Sequence, residues 1–202
     1  MRIIVATNNK HKIIEIKNIL TDYNIFSLSD LNIDIEPKET GKTFSANAFI
    51  KANTIYLYMK EKEMLLDNDI IIADDSGLCI DYLNGEPGIN SARFMGDDSS
   101  QKIKNKKILE LLKDVEFDNR IAKFVTVICM ISKNETKYFT GEMNGYISNE
   151  IIGENGFGYD PIFYLTEYMT TVANIPDSLK NKISHRANAL KLLKSHLNIT
   201  IF

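Results

Sequence analysis

The sequence has few cysteines and no excess of positive charge. Only two of its 202 residues are cysteines, Cys79 and Cys129, and both lie in apolar stretches. They predict buried thiols in a reducing compartment, not a disulfide framework or a metal site. Lys and Arg number 24 against 27 Asp and Glu, which gives a net charge of −3 and a pI near 5.7. This balance argues against a nucleic-acid-binding module but leaves room for a small anionic ligand.

Long apolar runs are also absent. No run approaches the ~18 apolar residues that a membrane helix needs, and the apolar run at residues 3–6 is too short for a signal peptide. We therefore expect a cytoplasmic protein that binds neither membrane nor nucleic acid. With 44% hydrophobic residues, the chain can form one domain spanning residues 1–202, with space for two lobes.

The most informative stretch is Ile70 to Gly77, in which an apolar run leads directly into Asp74 and Asp75. The run predicts a buried strand, and the polar residues after it predict a turn at the strand's carboxyl end. Two adjacent acids there suit a hard cation such as Mg²⁺. The alternative is a solvated turn with Asp bonding its own backbone.

A second polar segment separates the first predicted strand, residues 2–6, from a helix with apolar residues at 3.6 spacing. It contains Thr7, Asn8, Asn9, Lys10, His11 and Lys12. Free backbone N–H groups at a helix start and two lysines suit an anion. The segment lacks the glycines of a Walker A loop, and a capped helix start with solvated lysines is the alternative.

Patterning predicts an α/β fold. The other predicted strands lie at 25–28, 78–83, 123–132, 137–143 and 147–152. The other predicted helices lie at 43–62, from the cap at Asp97 to Ser100 through Lys113, and from 184 onward. In the second helix, Asn47 and Lys51 are one turn apart and can point the same way.

Three further features suit a nucleotide. In the loop Gly153–Phe163, Phe157 or Tyr159 could stack on a planar ring, Gly158 allows close approach, and Asp160 could read the ring's edge. His185 and Arg186 lie in the first turn of the last predicted helix, where the helix dipole disfavours positive charge. We therefore expect a nearby anion to compensate them. Together with Arg93 and Lys180 as phosphate partners, these features favour a nucleotide with Mg²⁺.

In this order the motifs resemble the inosine/xanthosine triphosphate pyrophosphatase family over almost the whole chain. The matching segments are Ala6–Lys12, Glu39–Phe44, Asn47–Ala52, Ala73–Leu78, Pro87–Arg93, Gly156–Phe163 and Ile183–Arg186.

The resemblance implies an α/β fold with a long mixed sheet and a cleft between two lobes. It implies a cytoplasmic homodimer that splits ITP, dITP or XTP into monophosphate and pyrophosphate with Mg²⁺. By position, Asp75 matches the general base and a metal ligand, and Glu39 matches a second ligand, although Glu36 is close by. Asp74 completes the acidic set. The remaining matches are to substrate-binding positions: Thr7 to Lys12, Lys51 (also a catalytic candidate), Ser76 and Arg93 on the phosphate side, and Phe157 to Asp160, Lys180, His185 and Arg186 at the purine.

Two alternatives stay open at this point. A related pyrophosphatase acting on dTTP or UTP would share the phosphate chemistry, and the purine-loop match argues against it. A nucleotide-binding regulator without turnover would not need the acidic set of Glu39, Asp74 and Asp75.

Overall fold

The structure, a computed structural model, describes residues 1–96 and 98–200, and within them seven strands form one mixed sheet. The strands are Arg2–Val5 (β1), Asn24–Ser27 (β2), Asp69–Ile80 (β3), Ile121–Ile131 (β4), Thr136–Ile147 (β5), Phe163–Leu165 (β6) and Thr170–Thr171 (β7). Their order across the sheet is β2-β1-β3-β4-β5-β6-β7. β1 pairs parallel with β2 and β3, whereas β6 pairs antiparallel with β5 and β7. The predicted α/β class is confirmed.

The α-helices begin where the sequence provides capping side chains. They are Lys10–Ile19 (α1), Phe44–Glu61 (α2), Gln101–Leu111 (α3), Asp177–Ile183 (α4) and His185–Thr200 (α5). Asn9, Thr43 and Ser100 accept backbone N–H groups at the starts of α1, α2 and α3. Of the predicted cap before α3, Asp97 lies outside the described residues. The short helix α4 was not predicted.

Strand β3 is one continuous element, so the turn predicted from Asp74 to Gly77 was wrong. Of the strand predicted at 78–83, residues 78–80 are the last part of β3, and Asp81–Leu83 form a 3-10 helix instead. Polarity at Asp74 and Asp75 does not end the strand. Its parallel partner β1 ends first, because the last pair in their register is Val5 with Ile72. The two acids therefore lie just beyond the carboxyl end of β1, inside a strand that continues.

Successive side chains of β3 point to opposite faces of the sheet. Ile70 and Ile72 belong to a buried cluster that includes residues of α1 and α5. Ile71 and Ala73 belong to a second cluster, which includes residues of α2. The same alternation directs the two acids after Ala73 to different sets of helices.

The chain divides into two compact units. The first contains Met1–Asp75, Thr126–Gly141 and the residues from Arg186 onward, and both of these clusters lie within it. The second contains Ser76–Val125 and Glu142–His185, and it has a core of its own that includes Leu78, Ile108 and Phe163.

The middle of the sheet partly follows the prediction. The predicted strand pair at 123–132 and 137–143 corresponds to β4 and β5, which are neighbours joined by residues 132–135. A connection this short makes the pair antiparallel. The strand predicted at 147–152 was wrong, because β5 ends at Ile147 and residues 148–152 form no strand. Both cysteines are free thiols, and Cys129 is buried as predicted, whereas Cys79 is only half-buried. In the described part of the chain, no helix is both long and apolar enough to cross a membrane.

Arg120 should be a main determinant of the stability of the second unit. Its buried guanidinium donates to the carbonyl oxygens of Leu112, Val115 and Ser148 at 2.8–2.9 Å. Replacing Arg120 with Met leaves three carbonyls without these donors, so we expect the free energy of unfolding to fall by about 2–4 kcal/mol. Urea denaturation measures the change. The exposed Lys113→Ala is the control, and equal stability of the two variants would contradict this role.

Candidate active site

Asp75 is surrounded by polar side chains that include two from α2. Asn47 and Lys51 are buried one turn apart on that helix. Asn47 Nδ2 donates to Asp75 Oδ2 at 3.1 Å, and Lys51 Nζ lies 3.4 Å from Asp75 Oδ1 and 2.5 Å from Glu39 Oε1. The Gly41 N–H donates to Asn47 Oδ1 at 2.8 Å, which turns the amide's N–H groups towards the carboxylate. We call Glu39, Asn47, Lys51 and Asp75 the Asp75 group.

The electrostatics of the Asp75 group favour proton acceptance. Burial raises the pKa of Asp75 above its usual value, and the nearby Glu39 raises it further, although Lys51 and Asn47 act in the opposite direction. Burial lowers the pKa of Lys51, but the negative charges of Asp75, Asp74 and Glu39 outweigh it, so the net shift is upward. Lys51 therefore stays charged, and Asp75 is a stronger base than an exposed aspartate.

Asp74 lies among cations from α1 and α5. Its Oδ2 is 3.0 Å from Lys12 Nζ, and it accepts from Arg186 Nη2 at 3.0 Å and from Nε at 3.3 Å. Arg186 Nη1 also donates to Glu15 Oε2. Burial lowers the pKa of Arg186, but the two carboxylates raise it by more. We call Glu15, Lys12, Asp74 and Arg186 the Asp74 group.

The segment before α1 supplies side-chain caps for its own backbone. Asn9 Oδ1 accepts from the backbone N–H groups of His11 and Lys12 at 3.0 and 3.2 Å, and Thr7 Oγ1 accepts from the Asn9 N–H at 3.2 Å. The predicted anion site assumed free N–H groups here, and these two are already bonded. These two N–H groups are therefore not available to an anion at this helix start. The exposed side chains of the segment are those of Asn8, Asn9, Lys10 and His11.

The chemistry of the Asp75 group fits a hard divalent cation. Two carboxylates converge on one ammonium, so the group has a net charge of −1, and all its anionic donors are oxygens. The Asp74 group has two acids and two cations and is neutral. Of the acids predicted to hold Mg²⁺, Glu39 and Asp75 fit this role better than Asp74. Glu39 is also favoured over Glu36, which is exposed. In the described part of the chain, no three His, Cys, Asp or Glu residues form a ready-made metal site.

The glycine-rich loop, Gly153–Phe163, lies in the second unit and is held by side chains that were predicted to hold a purine. Asp160 Oδ2 accepts from the Phe157 N–H at 2.9 Å and from Lys180 Nζ at 2.7 Å. Lys180 Nζ also lies 4.5 Å from the centre of the Phe157 ring. Tyr159 is buried, and its hydroxyl donates to the Ser91 carbonyl oxygen at 2.8 Å. Tyr159, Asp160 and Lys180 thus hold the loop, while the ring of Phe157 is only half-buried.

A cavity of about 450 Å³ opens between this loop and the start of α3. The loop contributes the stretch from Gly153 to Gly158, and α3 contributes Gln101, Lys102 and Asn105. Phe157 and Gly158 are the predicted site residues that line it. A volume of this order lies within the range of small-molecule sites.

Three predicted site residues of the second unit do not line this cavity. Ser76 is half-buried and follows Asp75 directly. Arg93 is half-buried, and its Nε donates to Asn90 Oδ1 at 3.3 Å. His185 is buried, and its ring stacks on Phe124 with the ring centres 4.8 Å apart.

Two residues that contact the candidate site, Glu15 and Asn105, were not predicted. Asn47 was noted with Lys51 as a pair that can point the same way, but it was not given a role of its own. Glu15 follows Lys12 by three residues on α1, a spacing that places both on one helix face.

Comparisons with known proteins agree with one another. A sequence model of the Ham1 family matches residues 3–196. A protein of Clostridium perfringens named dITP/XTP pyrophosphatase is 46% identical over 200 residues, covering 97% of each chain. The structure of the Staphylococcus aureus Ham1 protein has a TM-score of 0.84 at 41% identity and covers 98% of both chains. A structure titled nucleoside-triphosphatase / dITP/XTP pyrophosphatase from Mycobacterium abscessus has a TM-score of 0.72 at 34% identity, with coverage of 96% of this chain and 98% of that one.

Arg186 should be required for folding stability as well as for any role at a base. Its side chain is 1% exposed and pairs with two largely buried carboxylates. Replacing Arg186 with Met leaves Asp74 and Glu15 without this cation, so we expect a loss of about 3–5 kcal/mol in the free energy of unfolding by urea. The control is Lys194→Ala on the same helix, which breaks an exposed pair with Asp22 and should change stability far less. Similar values for both variants would refute the role of the buried pairs.

Proposed function

Because this chain belongs to the Ham1 family, we propose that it hydrolyses the deaminated purine nucleotides dITP, ITP and XTP to the monophosphate and pyrophosphate. The observation that carries the proposal is the Asp75 group. It combines a buried carboxylate of raised pKa, a charged lysine and a second carboxylate at one point. A protein that only binds nucleotides does not need this combination.

Asp75 is the proposed general base. Its carboxylate accepts the proton of a water molecule that attacks the triphosphate, and Asn47 and Lys51 hold it in place. Phosphoryl transfer depends on positioned groups and on neutralised charge more than on covalent chemistry. Lys51 supplies a fixed positive charge beside the base, and we assign Lys10 and Lys12, with Thr7 to Asn9, to the phosphates.

Mg²⁺ is the proposed cofactor, and Glu39 and Asp75 are the residues that would hold it. When bound, Mg²⁺ neutralises phosphate charge and polarises the bond that is broken. The net charge of −1 in the Asp75 group supports this assignment. Asp74 has a different proposed role, because it balances Lys12 and Arg186.

The glycine-rich loop is the proposed purine site. Phe157 presents a half-buried ring for stacking, and Gly158 lines the adjacent cavity. Inosine and xanthosine have an oxygen at the purine 6-position, where adenine has an amino group. A donor aimed at that oxygen would be left unpaired by adenine, at ~1–3 kcal/mol per group. His185 remains a candidate donor. Arg186 already uses three of its nitrogen atoms on Asp74 and Glu15.

We also propose that residues 1–202 form one catalytic domain, since the family match extends over both units. The homodimer and the cytoplasmic location stay predictions. Light scattering coupled to size-exclusion chromatography tests the first.

The proposed reaction is tested by pyrophosphate release from ITP, dITP, XTP, GTP, ATP, dTTP and UTP, with Mg²⁺ or with a chelator. We expect Mg²⁺-dependent release from ITP, dITP and XTP at least about 100-fold faster than from ATP. With ATP, both the protein donor and the amino group of adenine would be left unpaired, and the two costs together account for this ratio. Release mainly from dTTP or UTP would contradict the purine site. Nucleotide binding without any release would identify a regulator instead.

Replacing Asp75 with Asn tests the general base. The amide keeps the size of the side chain but cannot accept the proton, so we expect kcat for dITP to fall by about 10²–10⁴-fold. Binding of a non-hydrolysable dITP analogue, measured by calorimetry without Mg²⁺, should remain. The control is Asp81→Asn, since Asp81 is exposed just after β3. Full activity of the Asp75 variant would remove this residue from the role of base.

A further inference from the structure

Helix α3 buries polar side chains that its sequence does not single out. The helix is rich in lysine, a residue that is usually exposed, yet Lys104 and Asn105 are only 5% and 3% exposed. Lys104 Nζ donates to the Ala92 carbonyl oxygen. Buried polar groups in a helix need partners, and the partners of Asn105 lead to the glycine-rich loop.

The Asn105 amide is fixed at both of its polar atoms. Nδ2 donates to the Gly158 carbonyl oxygen at 3.3 Å, and Oδ1 accepts from Gln101 Nε2 at 2.9 Å. The contact with Gln101, one turn earlier on the same helix, orients the amide so that its donor faces the loop. Asn105 and Gln101 also line the cavity beside that loop.

Residues 157–160 are each held by a side-chain contact. The N–H of Phe157 donates to Asp160, and Asp160 accepts from Lys180. Tyr159 reaches the Ser91 carbonyl. For Gly158, which has no side chain, the contact with Asn105 holds its carbonyl oxygen.

Gly158 is the residue of this run that most needs an external contact. Its φ is +66°, a left-handed conformation, and nothing lies within 4 Å of the position where a Cβ would be. A glycine with open space around it loses the most conformational freedom on ordering. The bond from Asn105 limits that freedom at the carbonyl group of Gly158, in the residue directly after Phe157.

We propose that Asn105 is a positioning residue for base selection, because it fixes Gly158 and with it the Phe157 ring against the cavity. The inference rests on the proposed function, in which this loop binds the purine. Asn105 does not contact the reacting atoms. Its loss should weaken purine binding and leave the chemical step nearly intact.

The test compares Asn105→Asp with the wild type. This change keeps the size of the side chain and the acceptor for Gln101, and it removes the donor to Gly158. We expect KM for dITP to rise about 10-fold, as for a lost bond to a buried group, with kcat changed less than about 3-fold. Asn105→Ala is the second variant, in case the added carboxylate prevents folding. Lys106→Ala is the control, since Lys106 is the next residue and is exposed.

Hydrogen exchange in the nucleotide-free protein is the second readout. We expect amides of residues 156–160 to exchange at least about 10-fold faster in both Asn105 variants, with the rest of the chain unchanged. Unchanged exchange and unchanged KM would overturn the inference. Faster exchange over the whole chain would also overturn it, since Asn105 would then serve general stability.

These two readouts separate the inference from the proposed function. A wild-type protein that releases no pyrophosphate from dITP refutes the proposed function. In that case the role in base selection is also lost, and the exchange rates alone decide whether Asn105 anchors the loop.

Discussion

The alternation of side chains along β3 is the constraint on which the candidate site depends. Asp74 and Asp75 are neighbours in one strand, so they point to opposite faces, and both are buried. A buried carboxylate is tolerated only with partners that compensate its charge. Helix α2 must therefore present Lys51 to one face, and α1 and α5 must present Lys12 and Arg186 to the other. Two adjacent residues thus constrain which side chains three helices can present to the strand.

The sequence predicts much of the fold because its regular elements are long and patterned. Apolar runs indicated β1, β3 and β4, and the helix predicted at 43–62 corresponds closely to α2, which begins after the cap Thr43. The continuity of β3 was not predictable, since a polar residue inside a strand looks the same as one in a turn. The strands β6 and β7, of three and two residues, are too short to show a period.

The candidate site, like the fold, was predictable only in part. Ordered motifs identified most of its residues, and the pair Asn47 and Lys51 was visible from helical spacing alone. The partners of each carboxylate were not visible, because pairing depends on how elements pack. Glu15 and Asn105 were missed because a polar residue on a helix is usually exposed, and these two are buried. Their signal is burial, which a single sequence does not contain.

The groups on the two faces of β3 differ in net charge. The Asp74 group contains two acids and two cations, so it has no net charge with which to attract a further cation. It fixes the peptide that Asp74 shares with Asp75 from the opposite face. The Asp75 group keeps a net charge of −1 and a base of raised pKa. Because the contacts of Asp74 fix the backbone on the opposite face, the Asp75 carboxylate can stay in one position and keep its raised pKa. Catalysis by preorganised groups requires such a fixed position.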